Sequence, residues 1–147
     1  MTIKLIPGIP LYGNSKFRDK KCPKESVEQI TFVTRVRTQY PDNYGLVLIH
    51  PENEGKLIAG QFTRISKSRA MGMSQGASDI IIPGNPSFVC EIKRRDKTLS
   101  SISEEQIAYL LAAKECGSFV CIALVEDEAT NAFEDWLKIN KPPINNF

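Results

Sequence analysis

SDIIIPGNPSFVCEIK, residues 78–93, is the stretch on which the fold of this chain turns. Two β-rich runs, 78–82 and 87–93, flank Pro83-Gly84-Asn85-Pro86. Branched and aromatic residues on either side of a Pro/Gly/Asn turn predict a β-hairpin. Strand side chains alternate between faces, so Glu91 and Lys93 share a face with Val89, while Phe88, Cys90 and Ile92 turn to the other. With Gly84-Asn85-Pro86 as the loop, Pro83 faces Ser87 and Asp79 faces Glu91. The neighbouring register of the same parity sets Asp79 opposite Val89, and a register of opposite parity sends it to the other face. Runs this apolar rarely carry charge unless the charge is paired or functional.

Downstream, Ser103-Glu104-Glu105-Gln106 matches the capping box that opens a helix. Ile107, Leu110, Leu111 and Lys114 continue along one face of it, and Gly117 supplies a stop. SFVCIALV (118–125) is a nearly continuous apolar run, as in a strand covered on both sides. A last helix is expected from near Asp127, with Ala129, Ala132, Phe133, Trp136 and Leu137 as its buried stripe and Pro142-Pro143 as its end. Upstream, the spacing of Val27, Ile30, Val33, Val36 and Tyr40 predicts a helix over 25–40. PDNYG (41–45) reads as a turn, GLVLIH (45–50) as a short strand, and 56–66 as a second extended piece. Residues 67–77, basic and glycine-containing, read as a mobile or functional connection.

The expected order is therefore α-β-β-β-α-β-α, an α/β domain with a central mixed sheet flanked by helices. Residues 1–24 form an irregular basic N-terminal arm in this reading, 25–140 the domain proper, and 141–147 a short tail.

The 147 residues suit one compact domain, and 41% apolar with 24% charged residues is ordinary for a soluble one. No apolar run approaches the roughly 18–20 residues of a membrane span. Prolines interrupt the N-terminal MTIKLIPGIPLYG where a signal peptide needs an unbroken apolar stretch, so an intracellular, cytoplasmic location is expected. Cys22, Cys90, Cys116 and Cys121 form no C-x-x-C pair, and His50 is the one histidine, which argues against a structural zinc site. Cys90 and Cys121 read as buried free thiols. The net charge of +2 hides an asymmetry: residues 1–97 hold 16 Lys/Arg against 9 Asp/Glu, and residues 98–147 hold 3 against 8. A basic half can attract phosphates, or simply be solvated.

Asp79, Glu91 and Lys93 on one sheet face are a coherent set for phosphodiester hydrolysis. Two facing carboxylates repel unless a divalent cation lies between them, and oxygen ligands suit Mg²⁺. A lysine beside such a cation can orient a water or stabilise phosphate charge. Exposed E-x-K also occurs in strands merely to solubilise them. Gln106 serves either as the third residue of its capping box or as a support near the cation. Glu28 is ordinarily a first-turn acid favoured by the helix dipole. His50 reads as a satisfied strand-end residue, and Glu54, in a polar loop, as a possible additional site residue.

Taken together, G76-A-S-D79-I-I-I, C90-E91-I-K93-R94, L99…S103-E-E-Q106…Y109-L and the apolar strand after Gly117 resemble the VRR-NUC family of the PD-(D/E)XK nuclease superfamily. Glu28-Gln29 and Asn53-Glu54-Gly55 look like upstream features of phage-type members, and the resemblance spans about residues 25–138. Ser78 stands where proline is usual before the aspartate.

The resemblance implies a restriction-endonuclease-like core and Mg²⁺-dependent DNA cleavage, with Mn²⁺ as a substitute. By position, Asp79, Glu91 and the Ile92 carbonyl would hold the metal, Lys93 would serve the attacking water, and Gln106 and Glu28 would complete the catalytic set. Lys67, Arg69, Arg94, Arg95 and Lys97 are candidates for contacting the DNA backbone. Stand-alone phage members of this size, some active on branched DNA such as Holliday junctions, imply a structure-selective endonuclease. Two active sites on a junction imply a homodimer, in a bacterial host cell if phage-encoded. The alternatives are a nuclease acting on linear DNA ends and a non-catalytic nucleic-acid-binding domain.

Overall fold

The computed structural model describes residues 3–51 and 62–141. Its elements in chain order are β1 (Leu11–Tyr12), α1 (Glu25–Gln39), α2 (Tyr44–Val47), α3 (Phe62–Ala70), β2 (Ile80–Ile82), β3 (Phe88–Lys93), α4 (Glu104–Glu115), β4 (Phe119–Leu124) and α5 (Glu126–Ile139). A turn of 3₁₀ helix, Lys97–Leu99, links β3 to α4. The four strands form one mixed sheet in the order β1-β4-β3-β2. β2 runs antiparallel to β3, whereas β3, β4 and β1 are mutually parallel. This is the α/β architecture the sequence implied.

The hairpin has the register in which Asp79 faces Glu91. Ile82 pairs with Phe88, Ile81 with Val89 and Ile80 with Cys90, and one further step along both strands sets Asp79 opposite Glu91. Trp136 pins the turn by donating its indole N–H to the Pro86 carbonyl at 2.7 Å. Gly84 is needed here, since a Cβ would lie 2.6 Å from the Trp136 ring.

β3 is buried along its whole length, and its alternation feeds two cores. Phe88, Cys90 and Ile92 meet Phe32 and Val36 of α1 and Phe133 and Trp136 of α5, a face rich in edge-to-face aromatic contacts. Val89 joins Leu110 of α4, Ile122 and Leu124 of β4, and Ile3, Ile9 and Ile102 on the opposite face. Cys90 and Cys121 are buried free thiols, as expected, and Cys22 is buried with them.

Several local expectations are corrected. GLVLIH is not a strand: Tyr44–Val47 is helical, and only Ile49 makes a β-bridge, to Ile81. The Asn43 side chain accepts the Tyr44 N–H and nucleates this turn. Tyr44 then packs edge-on against Phe133 and Trp136, a tertiary contact that overrides strand propensity. Gly45 permits the fit, because a Cβ there would lie 2.6 Å from the Arg37 backbone.

The α1 stripe is rotated from the expected one. Glu28, Phe32 and Val36 are buried, while Val27 and Ile30 are exposed. The two aromatic and acidic partners won the core face because they have specific places to go, in the aromatic cluster and at the start of α5. Leu111 of α4 is likewise exposed.

The extended piece expected over 56–66 is helical where described, as α3, which also takes in part of the connection expected over 67–77. The N-terminal segment is not wholly irregular, since Leu11–Tyr12 pairs with Ile122–Ala123 at the sheet edge. α5 begins at Glu126, one residue before its expected start, with the expected stripe of Ala129, Ala132, Phe133 and Trp136 buried.

Candidate active site

β3 carries Glu91 and Lys93 toward the α4 side of the sheet, near its C-terminal end. Both are almost completely enclosed, at 1% and 3% exposure. The chain just before β2 delivers Asp79, whose Oδ2 accepts the Ile92 N–H at 2.9 Å. This bond continues the hairpin ladder through a side chain and holds the carboxylate against β3. The Asp79 carbonyl accepts from His50 Nδ1 at 2.7 Å, so His50 braces the loop from its backbone. A carbonyl cannot donate, so Nδ1 carries the proton.

Gln106 arrives from the first turn of α4 and fulfils both roles weighed for it. Its Oε1 accepts the Ser103 N–H at 2.9 Å while its own N–H donates to Ser103 Oγ, closing the capping box. That fixes the amide orientation and turns Nε2 toward Glu91, whose Oε1 accepts it at 2.8 Å. Lys93 Nζ lies 3.3 Å from the same oxygen. Glu91 Oε1 thus has two donors, whereas Oε2 is buried with no hydrogen-bond partner among the described residues. Burial first, and the Asp79 carboxylate second, push the Glu91 carboxyl up to about 8, against the pull of Lys93.

The motif glycine has a concrete task. Gly76 has φ +72°, and a Cβ on it would stand 2.4 Å from the Glu105 backbone. Only glycine lets the loop that carries Asp79 press this closely on the turn that carries Gln106. Ser78, which stands where the resemblance leads one to expect proline, is fully buried, and its hydroxyl has no hydrogen-bond partner among the described residues.

The first-helix carboxylates divide differently from the sequence reading. Glu28 is buried, but its Oε2 accepts the Glu126 N–H at 2.8 Å, at the start of α5. Glu126 in turn pairs with Arg35. Glu25, one turn earlier and not singled out from the sequence, has Oε1 3.9 Å from Lys93 Nζ. Its i, i+3 spacing to Glu28 was the available signal, since it puts both on one helix face.

The expected DNA-contacting cations are scattered. Arg94 donates to the carbonyls of Cys22 and Pro23, and Lys97 to that of Ile3 at 3.1 Å. Arg95 lies over the Phe17 ring at 4.0 Å from its centroid. Lys67 and Arg69 are exposed on α3, and Glu54 lies outside the described residues. Asp96 was also missed: it is buried and accepts from the Asp19 N–H and from the Thr98 N–H and hydroxyl, tying the N-terminal segment to the site loop.

Among the described residues no three His, Cys, Asp or Glu side chains form a metal-holding group. Among the described residues, the carboxylates facing each other across the hairpin are Asp79 and Glu91. This pair suits a cation that takes one or two carboxylates and completes its shell with water and phosphate oxygens, as Mg²⁺ does. No helix among the described residues is long and apolar enough to cross a membrane.

A solved structure described as a VRR_NUC domain protein superposes with a TM-score of 0.65 at 17% identity, covering 84% of this chain and 95% of that one. This chain has the VRR-NUC fold. Neither a family model nor a curated protein matches the sequence. The fold therefore rests on geometry, and its VRR-NUC likeness agrees with the motif order Gly76, Asp79, Glu91-x-Lys93, Gln106.

Proposed function

We propose that this protein is a divalent-metal-dependent DNA endonuclease, selective for branched or otherwise structured DNA. The observation that carries the reading is Glu91 Oε2. A carboxylate oxygen buried without a partner is costly, and a second carboxylate alongside makes it more so. A divalent cation would satisfy that oxygen and reverse the repulsion, with Asp79 and the Ile92 carbonyl as further ligands. Bound there, Mg²⁺ or Mn²⁺ would supply Lewis-acid stabilisation of the phosphate and a more acidic water. The VRR_NUC likeness of the fold supports nuclease chemistry as the class.

The chain's own residues have separable tasks. Gln106 and Lys93 hold Glu91 Oε1 and so aim Oε2 at the site. The Lys93 ammonium orients the attacking water and stabilises negative charge on phosphate as the P–O bond breaks. Glu25 limits where Lys93 can point. Glu28 acts at one remove: it holds the Glu126 N–H, and the adjoining Val125 N–H donates to the Lys93 carbonyl at 3.1 Å. We assign the basic residues Lys67, Arg69 and Arg95 to the DNA backbone, and Arg94 and Lys97 to securing the N-terminal segment. A homodimer would present two such sites to a four-way junction.

The test is cleavage of four-way junction, flap, single-stranded and linear duplex DNA by the purified protein, with Mg²⁺ and with chelator. Mg²⁺-dependent nicking that favours the branched substrates is expected. Cleavage unchanged in both Glu91→Gln and Lys93→Met would falsify the assignment, and salt-sensitive binding without nicking would favour the non-catalytic alternative.

A further inference from the structure

A cavity of about 470 Å³ is lined by Ile49, Ser68, Met71, Met73, Ala77 and Tyr109 among others, several of them close in sequence to the candidate site. Its volume is in the range of small-molecule sites, and its wall is apolar with one aromatic ring and a few hydroxyls. Three segments that line the cavity also carry a residue of the site or its brace. Ile49 precedes His50, which holds the Asp79 carbonyl. Ala77 lies two residues before Asp79, at most roughly 7 Å along the chain. Tyr109 is one helical turn after Gln106, a rise of roughly 4.5 Å on the same face of α4. The fourth wall is α3, which carries Arg64, Lys67 and Arg69 and no acid.

We infer that this cavity receives an unstacked nucleobase of the DNA strand being cut, beside the scissile phosphate. The inference rests on the nuclease reading and adds to it how branched DNA is chosen. Glu91 and Lys93 are too enclosed for a phosphate to reach them unless its strand bends inward, and bending turns the adjoining base out of the stack. An apolar cavity with a tyrosine ring one helical turn from Gln106 is where that base can go, and α3 offers positive charge to the flanking phosphates. Stacking on one aromatic side chain is sequence-tolerant, since every base has a π-face. Turning a base out is cheapest where it is already unpaired, as at flaps and junctions.

The experiment compares a labelled single-stranded oligonucleotide with an abasic strand of the same length, binding each to the full chain in chelator so that nothing is cut. The two probes carry the same phosphates, so their difference reads the bases. The wild-type protein is expected to prefer the base-bearing strand by about tenfold. That preference should fall to near unity in Tyr109→Ala and in Ser68→Trp, which fills the cavity from α3, and persist in Tyr109→Phe. Equal affinity of the wild type for both probes overturns the inference, as does a preference that survives Ser68→Trp. The nuclease reading fails separately: base preference without Mg²⁺-dependent cleavage would remove the activity and leave the cavity's role standing.

Discussion

Glu91 and Glu28 are both buried, at 1% and 6% exposure, yet their surroundings are opposite. Glu28 spends an oxygen on the first N–H of α5, a helix whose start has no side-chain cap from its own flanking residue. Glu91 has one oxygen held twice and the other not at all among the described residues. A buried carboxylate engaged with the backbone holds elements together, whereas the unbonded oxygen of Glu91 is the one that, in the function proposed above, would take a cation. Glu28 is thus a fold-holding acid, and Glu91 the one we propose to hold a ligand, although both came from the same sequence motif set.

The largest effect should be on cleavage. Glu91→Gln is expected to lower the Mg²⁺-dependent nicking rate by roughly a thousandfold, and Lys93→Met by a similar order, in the range seen when a positioned catalytic group is removed. Glu28→Gln, which keeps an acceptor for Glu126, should cost only a few-fold. If Glu28→Gln is as damaging as Glu91→Gln, the comparison breaks, and Glu28 belongs to the reacting centre as the family resemblance implies.

Metal binding should sharpen the contrast next. Mg²⁺ or Mn²⁺ at 100 times its Kd stabilises a protein by about 2.7 kcal/mol, so a rise of several degrees in melting temperature is expected. The rise should persist in Glu28→Gln and vanish in Glu91→Gln and Asp79→Asn. A shift that survives both of the latter would place the cation elsewhere.

Glu91 should also make the stability of the metal-free protein depend on pH. Glu91 takes up its proton at about 8 when folded, against an ordinary value of 4.5. Between those values the folded state binds more protons than the unfolded state, so the free energy of unfolding declines as pH rises and levels off above about 8. Urea unfolding in chelator across that range should show the decline. Glu91→Gln should flatten it.

The hairpin was legible because strand parity is a strict local rule: a three-residue loop sets Asp79 against Glu91, one of two same-parity registers that keep both on one face, and the sheet adopts that one. The capping box was equally local, and Gln106 could be placed because Ser103 announces it. Legibility failed where distant partners decided. The strand expected at Gly45 gave way to a helical turn because Tyr44, just before it, packs into the aromatic cluster around Trp136. Phe32 and Glu28 took the inner face of α1 from Val27 and Ile30, since α5 and β3 supplied their contacts. Arg94 and Lys97 look from the sequence like phosphate ligands, yet they close on carbonyls some 70 to 90 residues away.

The smallest effect tests the structural half of the comparison. Glu28→Ala removes the acceptor at the start of α5 and should cost about 1–2 kcal/mol, the ordinary worth of a lost helix cap. Glu28→Gln should stay within about 0.5 kcal/mol of wild type, because the amide oxygen can take the same N–H and one charge beside Glu126 is gone. That relief has a visible cause: burial, and then the neighbouring acids Asp127 and Glu28, raise the Glu126 carboxyl against the pull of Arg35. Equilibrium unfolding of the three proteins at neutral pH decides between them. If the glutamine variant is as unstable as the alanine variant, it is the charge of Glu28 rather than its hydrogen bond that joins α1 to α5, and its likeness to Glu91 would be closer than their geometry suggests.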